Sequence, residues 1–310
     1  MARYLLQRII TMFVVAFVVV TATFFLMRAL PGGPFSSERN VPPAILKNLE
    51  RRYNLNKPIH EQYLDYLKGV LVWDLGPSFK YKGLTVNDVI NRGFPVSAKL
   101  GGISLLLSII VGIPLGILAA MKHNGVTDRT ISGLAILTAA APSFVIAGVL
   151  QYVFAYRLGW FPSATWGDGK LRYIVLPVLA LSSYNLAWIV KLTRSSMLEV
   201  INQDYIRTAR AKGLREIVVI YRHMIKNAMV PVIASLAPMT ASILTGSFIV
   251  ENVFGIPGIG REFVQSITNR DYTVTLGMTL FFCLLLVGFT LIADIVLAFI
   301  DPRVRLEKEG

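Results

Sequence analysis

Uncharged, mostly apolar runs divide this chain: Ile9 to Met27, Leu100 to Met121, Thr130 to Tyr156, Tyr173 to Val190, Ala228 to Val250, and Thr273 onward, where Asp294 interrupts a last run ending near Ile300. A helix needs roughly 20 predominantly apolar residues to cross the hydrocarbon core, and in lipid each main-chain N–H and C=O must find its partner without water. The pattern therefore predicts an all-α polytopic membrane protein with six transmembrane helices, about 9–27, 100–121, 130–156, 173–190, 228–250 and 273–300. Two polar segments stand out between them. Residues 28–99 read as short helices separated by breakers: Pro42 and Pro43 precede AILKNLERRYNL, Pro58 precedes IHEQYLDYLKGVL, and Thr85 is placed to cap VNDVINRG. Ile45, Leu46, Leu49 and Tyr53 recur at helical spacing, as do Tyr63, Tyr66, Leu67 and Val70, so these stripes are expected on the ends of the spans or in the interface. Residues 191–227 are too long for a turn. Asp204 is placed to cap a short helix through Arg210, Gly213 to close it in a left-handed conformation, and REIVVIYRHMIKNA to lead into the fifth span. The expected product is a helical hairpin, apolar on one side and basic on the other.

Charge orients these elements. With the N-terminus inside, fifteen Lys and Arg residues fall in inner segments, against five (Arg157, Lys170, Arg172, Arg261 and Arg270) in the short outer loops. Both termini and residues 191–227 are thereby expected in the cytoplasm, and residues 28–99 outside. The formal net charge of +13 is then a topology signal, without the aromatic–basic interleaving of a nucleic-acid surface. Although Arg3 and Arg8 precede the first run, it spans 19 residues and ends in FFLMRALPGG, which offers no small-residue cleavage site. It is expected to be a retained helix and not a signal peptide.

Catalytic and metal chemistry find no constellation. His60, His123 and His223 have no partner at ligand spacing, Cys283 is alone, and no G-x-x-x-x-G-K-[ST] loop occurs. No catalytic, metal or cofactor site is expected on this chain. The notable residues within the spans are small, polar or helix-breaking. Pro114, Pro142, Pro177, Pro231 and Pro238 point to helices packed around a cavity, and Gly112-x-x-x-Gly116 to close helix packing. Gln151, Ser183, Asn185, Thr240 and Thr245 are the candidates for lining a path. Asp294 is placed to pair near the cytoplasmic end. The scarcity of ionisable groups at depth argues against an ion-coupled secondary carrier and equally against an intramembrane enzyme, so energy for uphill transport is expected from another subunit.

The hairpin wording RTARAKGL followed by RHMIKNAMVPV, then VENVFGIPGIG, NRDY (Asn269 to Tyr272) and DPRVR (Asp301 to Arg305), resembles the permease subunits of ATP-binding cassette peptide importers. With Gly213 on the glycine of the family's Glu-Ala-Ala signature, Arg207, Thr208 and Ala209 fall on the triplet and His223, Ile225 and Lys226 on its Ile, Leu and Pro. That departure is usual in the peptide branch. LGPSFKYKGLTVNDVI and FPVSAKLG resemble the oligopeptide permease subunit more than its dipeptide or nickel relatives. The resemblance implies a type I importer fold that pairs with a homologous second permease to form the translocation path in a bacterial or archaeal cytoplasmic membrane. Two cytoplasmic ATP-binding subunits, carrying ATP and Mg, would grip the coupling loops through Arg207, Thr208, Ala209, Arg210, Ala211, Lys212 and Gly213. An extracytoplasmic peptide-binding protein would deliver the substrate. Glu251, Phe254, Pro257, Gly258 and Gly260 are the family motif after the fifth span. Oligopeptides are the expected cargo, with dipeptides, nickel chelates and oligosaccharides as alternatives.

Overall fold

The computed structural model describes residues 2–29, 33–35, 47–48, 51 and 53–300. Half of AILKNLERRYNL, including Ile45, Leu46 and Leu49, the side chain of Asp294 and all of DPRVR lie outside the described residues. The helices are α1 (Ala2–Ala29), α2 (Ile59–Leu71), α3 (Val86–Met121), α4 (Val126–Ala140), α5 (Ser143–Leu150), α6 (Leu171–Ile201), α7 (Asp204–Ala211), α8 (Glu216–Val218), α9 (Ile225–Leu244), α10 (Phe248–Val253), α11 (Ile259–Thr268) and α12 (Tyr272–Ile300), with π-helical turns at Gln151–Arg157 and Val219–Met224. Among the described residues, five helical stretches are long and apolar enough to cross a bilayer: Gln7–Ala29, Val86–Met121, Leu171–Ile201, Glu216–Val253 and Tyr272–Ile292. A sixth is made only by joining Val126–Ala140 to Ser143–Arg157 across a bend of 103°.

By its internal contacts the chain divides into two units, Met1–Ser97 with Pro257–Gly288, and Ala98–Ile256 with Phe289–Gly310. In the first, Val20, Leu75, Val86, Val89, Ile90, Ile259, Val274 and Met278 form a buried core, against which Tyr66, Leu67 and Val70 of α2 pack. The aromatic stripe of α2 thus lies on protein. Tyr63 sits 5.2 Å from Phe24 and shares a 2.6 Å hydrogen bond with Thr21, while Arg28 stacks 3.8 Å from the Phe24 ring and donates to Gln62 at 2.7 Å. Thr85 and Asp88 cap each other reciprocally, the Asp88 carboxylate accepting from Thr85 N at 2.9 Å and Thr85 Oγ1 accepting from Asp88 N at 3.1 Å. This cap starts α3 well before the apolar run at Leu100, so the separate short helix expected over VNDVINRG is instead the first turns of a 36-residue helix. Burial of Val86, Val89 and Ile90 anchors those turns and offsets the one hydrogen bond that Pro95 removes.

Asp271, from the NRDY stretch, is 1% exposed and joins two parts of this unit. Its carboxylate accepts from Val274 N at 3.3 Å at the start of α12, from Phe79 N at 3.2 Å, from Lys80 N at 3.3 Å and from the Ser78 hydroxyl. Thr273 Oγ1 donates to the Pro77 carbonyl at 2.6 Å beside it.

In the second unit, α6 packs against α3, α4, α5 and α9. A Cβ on Gly116 would stand 2.6 Å from Thr193 Cβ and 2.8 Å from the Val190 carbonyl, and one on Gly112 would stand 2.9 Å from Ile189 Cγ2, so only glycine allows α3 to lie this close to α6. The buried Ser104 and Ser108 hydroxyls turn back on their own helix, each 2.8 Å from the carbonyl four residues earlier.

The third span, expected over 130–156 and containing Pro142, is broken at that proline. Proline restricts the residue before it to extended backbone, and Ala141 stands at φ −79°, ψ 126°. Having no N–H, Pro142 cannot return a hydrogen bond to Thr138. The next helix restarts on the Pro142 carbonyl, which accepts from Val145 N at 2.9 Å and Ile146 N at 3.2 Å.

Candidate coupling hairpin and pathway cleft

The first candidate region is the hairpin from α7 to the start of α9. Its apolar side is a floor of Met197, Ile206, Ala209, Val219, Met224 and Ala228, all buried together with Ala120 at the end of α3. Ile206 and Ala209, three apart on α7, point into this floor, and their spacing leaves Arg207, Thr208, Arg210 and Ala211 on the outside. Gln203 is the cap position of α7, and Asp204 lies in its first turn, where its charge suits the helix dipole; no side-chain cap is made. This corrects the capping role expected of Asp204. Gly213 stands at φ +73° with nothing within 4 Å of a would-be Cβ, so the backbone conformation alone selects glycine there. Across that turn Arg210 donates to Glu216, Nη2 to Oε1 at 2.7 Å and Nε to Oε2 at 3.2 Å, tying the two arms. Tyr205 accepts from Asn227 at 2.9 Å. Facing away from the floor are Arg207, 73% exposed at its side chain, Lys212, Arg215 and Arg222, interspersed with exposed Leu214, Ile217 and Tyr221.

The second region is a cleft of about 450 Å³ where α4 breaks into α5, bordered by α6 and the end of α9. Ser143, Ser183, Tyr184, Asn185, Ser242 and Ser247 supply its polar lining, beside alanines, Pro142, Leu181, Ile243 and Gly246.

A fold of this kind also occurs in solved permeases. The chain aligns with an inward-facing methionine ABC transporter at a TM-score of 0.59 and 15% identity, covering 69% of this chain and 96% of the other, and with an amino acid ABC transporter at 0.55 and 16%, covering 68% and 93%. Residues 112–306 match the family described as binding-protein-dependent transport system inner membrane component, and residues 1–100 match its N-terminal component. This chain belongs to that family of permeases. Among individual relatives, the oligopeptide transport system permease protein of Salmonella typhimurium is 44% identical over 98% of this chain and 100% of its own length. The dipeptide transport system permease protein of Bacillus subtilis is 44% identical over the whole of both chains. The protein is thus a multi-pass transport permease of the cytoplasmic membrane and not itself an enzyme.

Of the residues named from sequence as lining a path in this permease, Ser183 and Asn185 are brought together in the cleft. Thr240 is not; its hydroxyl donates to Leu236 O at 2.6 Å. Thr245 borders the region without lining it, bonded to Ser242 O at 2.7 Å. Gln151 serves elsewhere, its amide donating to the Ser163 carbonyl and standing 3.4 Å from that of Val253. In the motif after the fifth span, Glu251 and Phe254 are buried, and Glu251 O accepts from Ile256 N at 2.8 Å. Gly258 opens α11, the buried Gly260 lies in its first turn, and Ile259 N donates to Ser97 Oγ at 2.9 Å. Pro257 begins that segment of the first unit.

Sequence reasoning missed Asp128. It is 3% exposed and receives Arg194 at 2.6 Å from Nε and 2.8 Å from Nη2, with Asn124 N at 2.9 Å and Ser132 Oγ at 3.1 Å. His123 Nδ1 lies 3.3 Å from the same carboxylate. This cluster fixes the turn before α4 to the part of α6 that leads into the hairpin. The available signal was an acidic residue in the first turn of a helix. Among the described residues no group of three or more His, Cys, Asp or Glu is gathered for a metal.

Proposed function

We propose that this chain is the permease subunit of an ATP-driven, binding-protein-dependent importer of oligopeptides. The observation that carries the reading is the full-length identity of 44% to an oligopeptide permease. The division of labour follows from chemistry. With no phosphate-binding loop in the sequence, ATP and Mg belong on two cytoplasmic ATP-binding subunits, and the exposed face of the hairpin is the surface they would grip. Its four basic residues and interspersed Leu214, Ile217 and Tyr221 form a mixed charged and apolar patch of the kind that docks a protein partner. The apolar floor beneath transmits movement of that face into α6 and α9 as a packed body, a two-state element biased from two distinct sites. A homologous second permease completes the path, a peptide-binding protein delivers cargo from outside, and both termini lie in the cytoplasm.

Purified alone, the chain should hydrolyse no ATP. Combined with a second permease, the ATP-binding subunits and a peptide-loaded binding protein, it should show stimulated hydrolysis and uptake of labelled peptide. Uptake driven by a proton gradient in vesicles lacking the ATP-binding subunits would overturn the reading. The equal identity to a dipeptide permease favours dipeptides as a second cargo. Competition of dipeptides against longer peptides for uptake decides between them.

A further inference from the structure

The cleft at the break of the third span has a chemistry of its own. Its lining contains no Asp, Glu, Lys, Arg or His, although polar side chains reach it from α5, α6 and α9. Among the described residues the Asn185 amide and the Ser143 and Ser242 hydroxyls have no hydrogen-bond partner, whereas Ser183 is already bonded to Ala180 O at 2.7 Å. The break at Pro142 and Ser143 lies midway along the apolar run Thr130 to Tyr156, and interrupted helices of transporters line substrate sites in this way. The volume falls within the roughly 300–1,000 Å³ typical of small-ligand pockets.

We infer that this cleft holds a peptide in transit by its main chain, through uncharged donors and acceptors, and does not select among side chains. The inference rests on the peptide reading above. A peptide unit that leaves water must recover both an N–H and a C=O partner, and a carboxamide supplies both kinds of group at once. Serine hydroxyls extend the same offer to neighbouring units. Every peptide carries these groups whatever its sequence. A fixed charge in the lining would instead favour one sign of cargo and oppose the other, because the surrounding alanines and aliphatic side chains screen it poorly.

The test places a charge there. In the assembled importer in vesicles, uptake of two labelled peptides differing only in a central Glu or Lys is measured at matched protein levels. The wild-type assembly should carry both at similar rates relative to their affinities for the binding protein. Asn185→Asp should shift the Lys-to-Glu uptake ratio upward by roughly tenfold, and Asn185→Lys should shift it downward by a similar factor. Ser242→Asp, at an exposed position of the same cleft, gives an independent repeat of the first shift. Misfolding lowers both peptides alike and leaves the ratio untouched, so opposite displacements report contact. A ratio unchanged in all three variants, with normal wild-type uptake, overturns the cleft alone; a wild-type assembly that carries no peptide overturns the functional reading and the cleft with it.

Discussion

Single residues in this permease act mostly through geometry that one side chain can spoil. Gly213 is the clearest case, because its positive φ leaves free space around it and makes conformation the only constraint. A valine there should cost about 1–2 kcal/mol of local strain, while asparagine, which tolerates the left-handed region, should cost less. Gly213→Val is expected to leave insertion and pairing with the second permease intact and to lower peptide uptake per ATP hydrolysed, with Gly213→Asn intermediate. Equal coupling ratios in all three proteins would show that the hairpin turn does not transmit the stroke. Asp128 works through charge. Asp128→Asn removes one side of a nearly buried carboxylate–guanidinium pair and should lower the midpoint of thermal unfolding in detergent, by an amount equivalent to roughly 1–3 kcal/mol. Gly213 was legible in the sequence because glycine after a short amphipathic stretch has few other uses. Asp128 was not: its partner lies 66 residues away on another helix, a separation that spacing arguments do not reach.

At the scale of elements, the uncharged runs announced the spans but not their ends, since hydropathy reports where lipid lies and not where hydrogen bonding stops. Thr85 and Asp88 begin α3 in a polar segment that hydropathy assigns to the outer loops. Conversely, the run Thr130 to Tyr156 looks continuous, and only the main-chain arithmetic at Ala141 and Pro142 shows it to be two helices. Pro142→Ala restores the missing N–H and is expected to straighten the span. With Cys283 replaced and spin labels on cysteines at Arg129 and Phe154, the label separation should lengthen toward the roughly 38 Å of a straight helix. An unchanged distance would assign the bend to the neighbouring helices. The hairpin was the better-read element, because its buried Ile206 and Ala209 and its exposed arginines alternate at helical spacing.

For the whole molecule, orientation rests on fifteen inner against five outer basic residues. A cysteine at the exposed Ser163 should react with impermeant thiol reagents in intact cells, and one at the exposed Lys212 only after the membrane is opened. Reaction at Lys212 in intact cells would invert the topology. Family and architecture were readable because the recognisable stretches are spread along the entire chain. The cleft was only partly so: Ser183 and Asn185 stood out as polar groups in an apolar run, but nothing local revealed that Ser143 lies beside them. The Asp271 clasp has a consequence in time. The carboxylate that holds Ser78, Phe79 and Lys80 lies 193 residues after the serine it grips. At a synthesis rate of about 5–20 residues per second, the stretch around Ser78 emerges roughly 10–40 s before its holder exists. Until then that stretch has only its local hydrogen bonds, such as Ser78 N to Leu84 O at 2.9 Å, and a ribosome that stalls short of Asp271 leaves it without its holder.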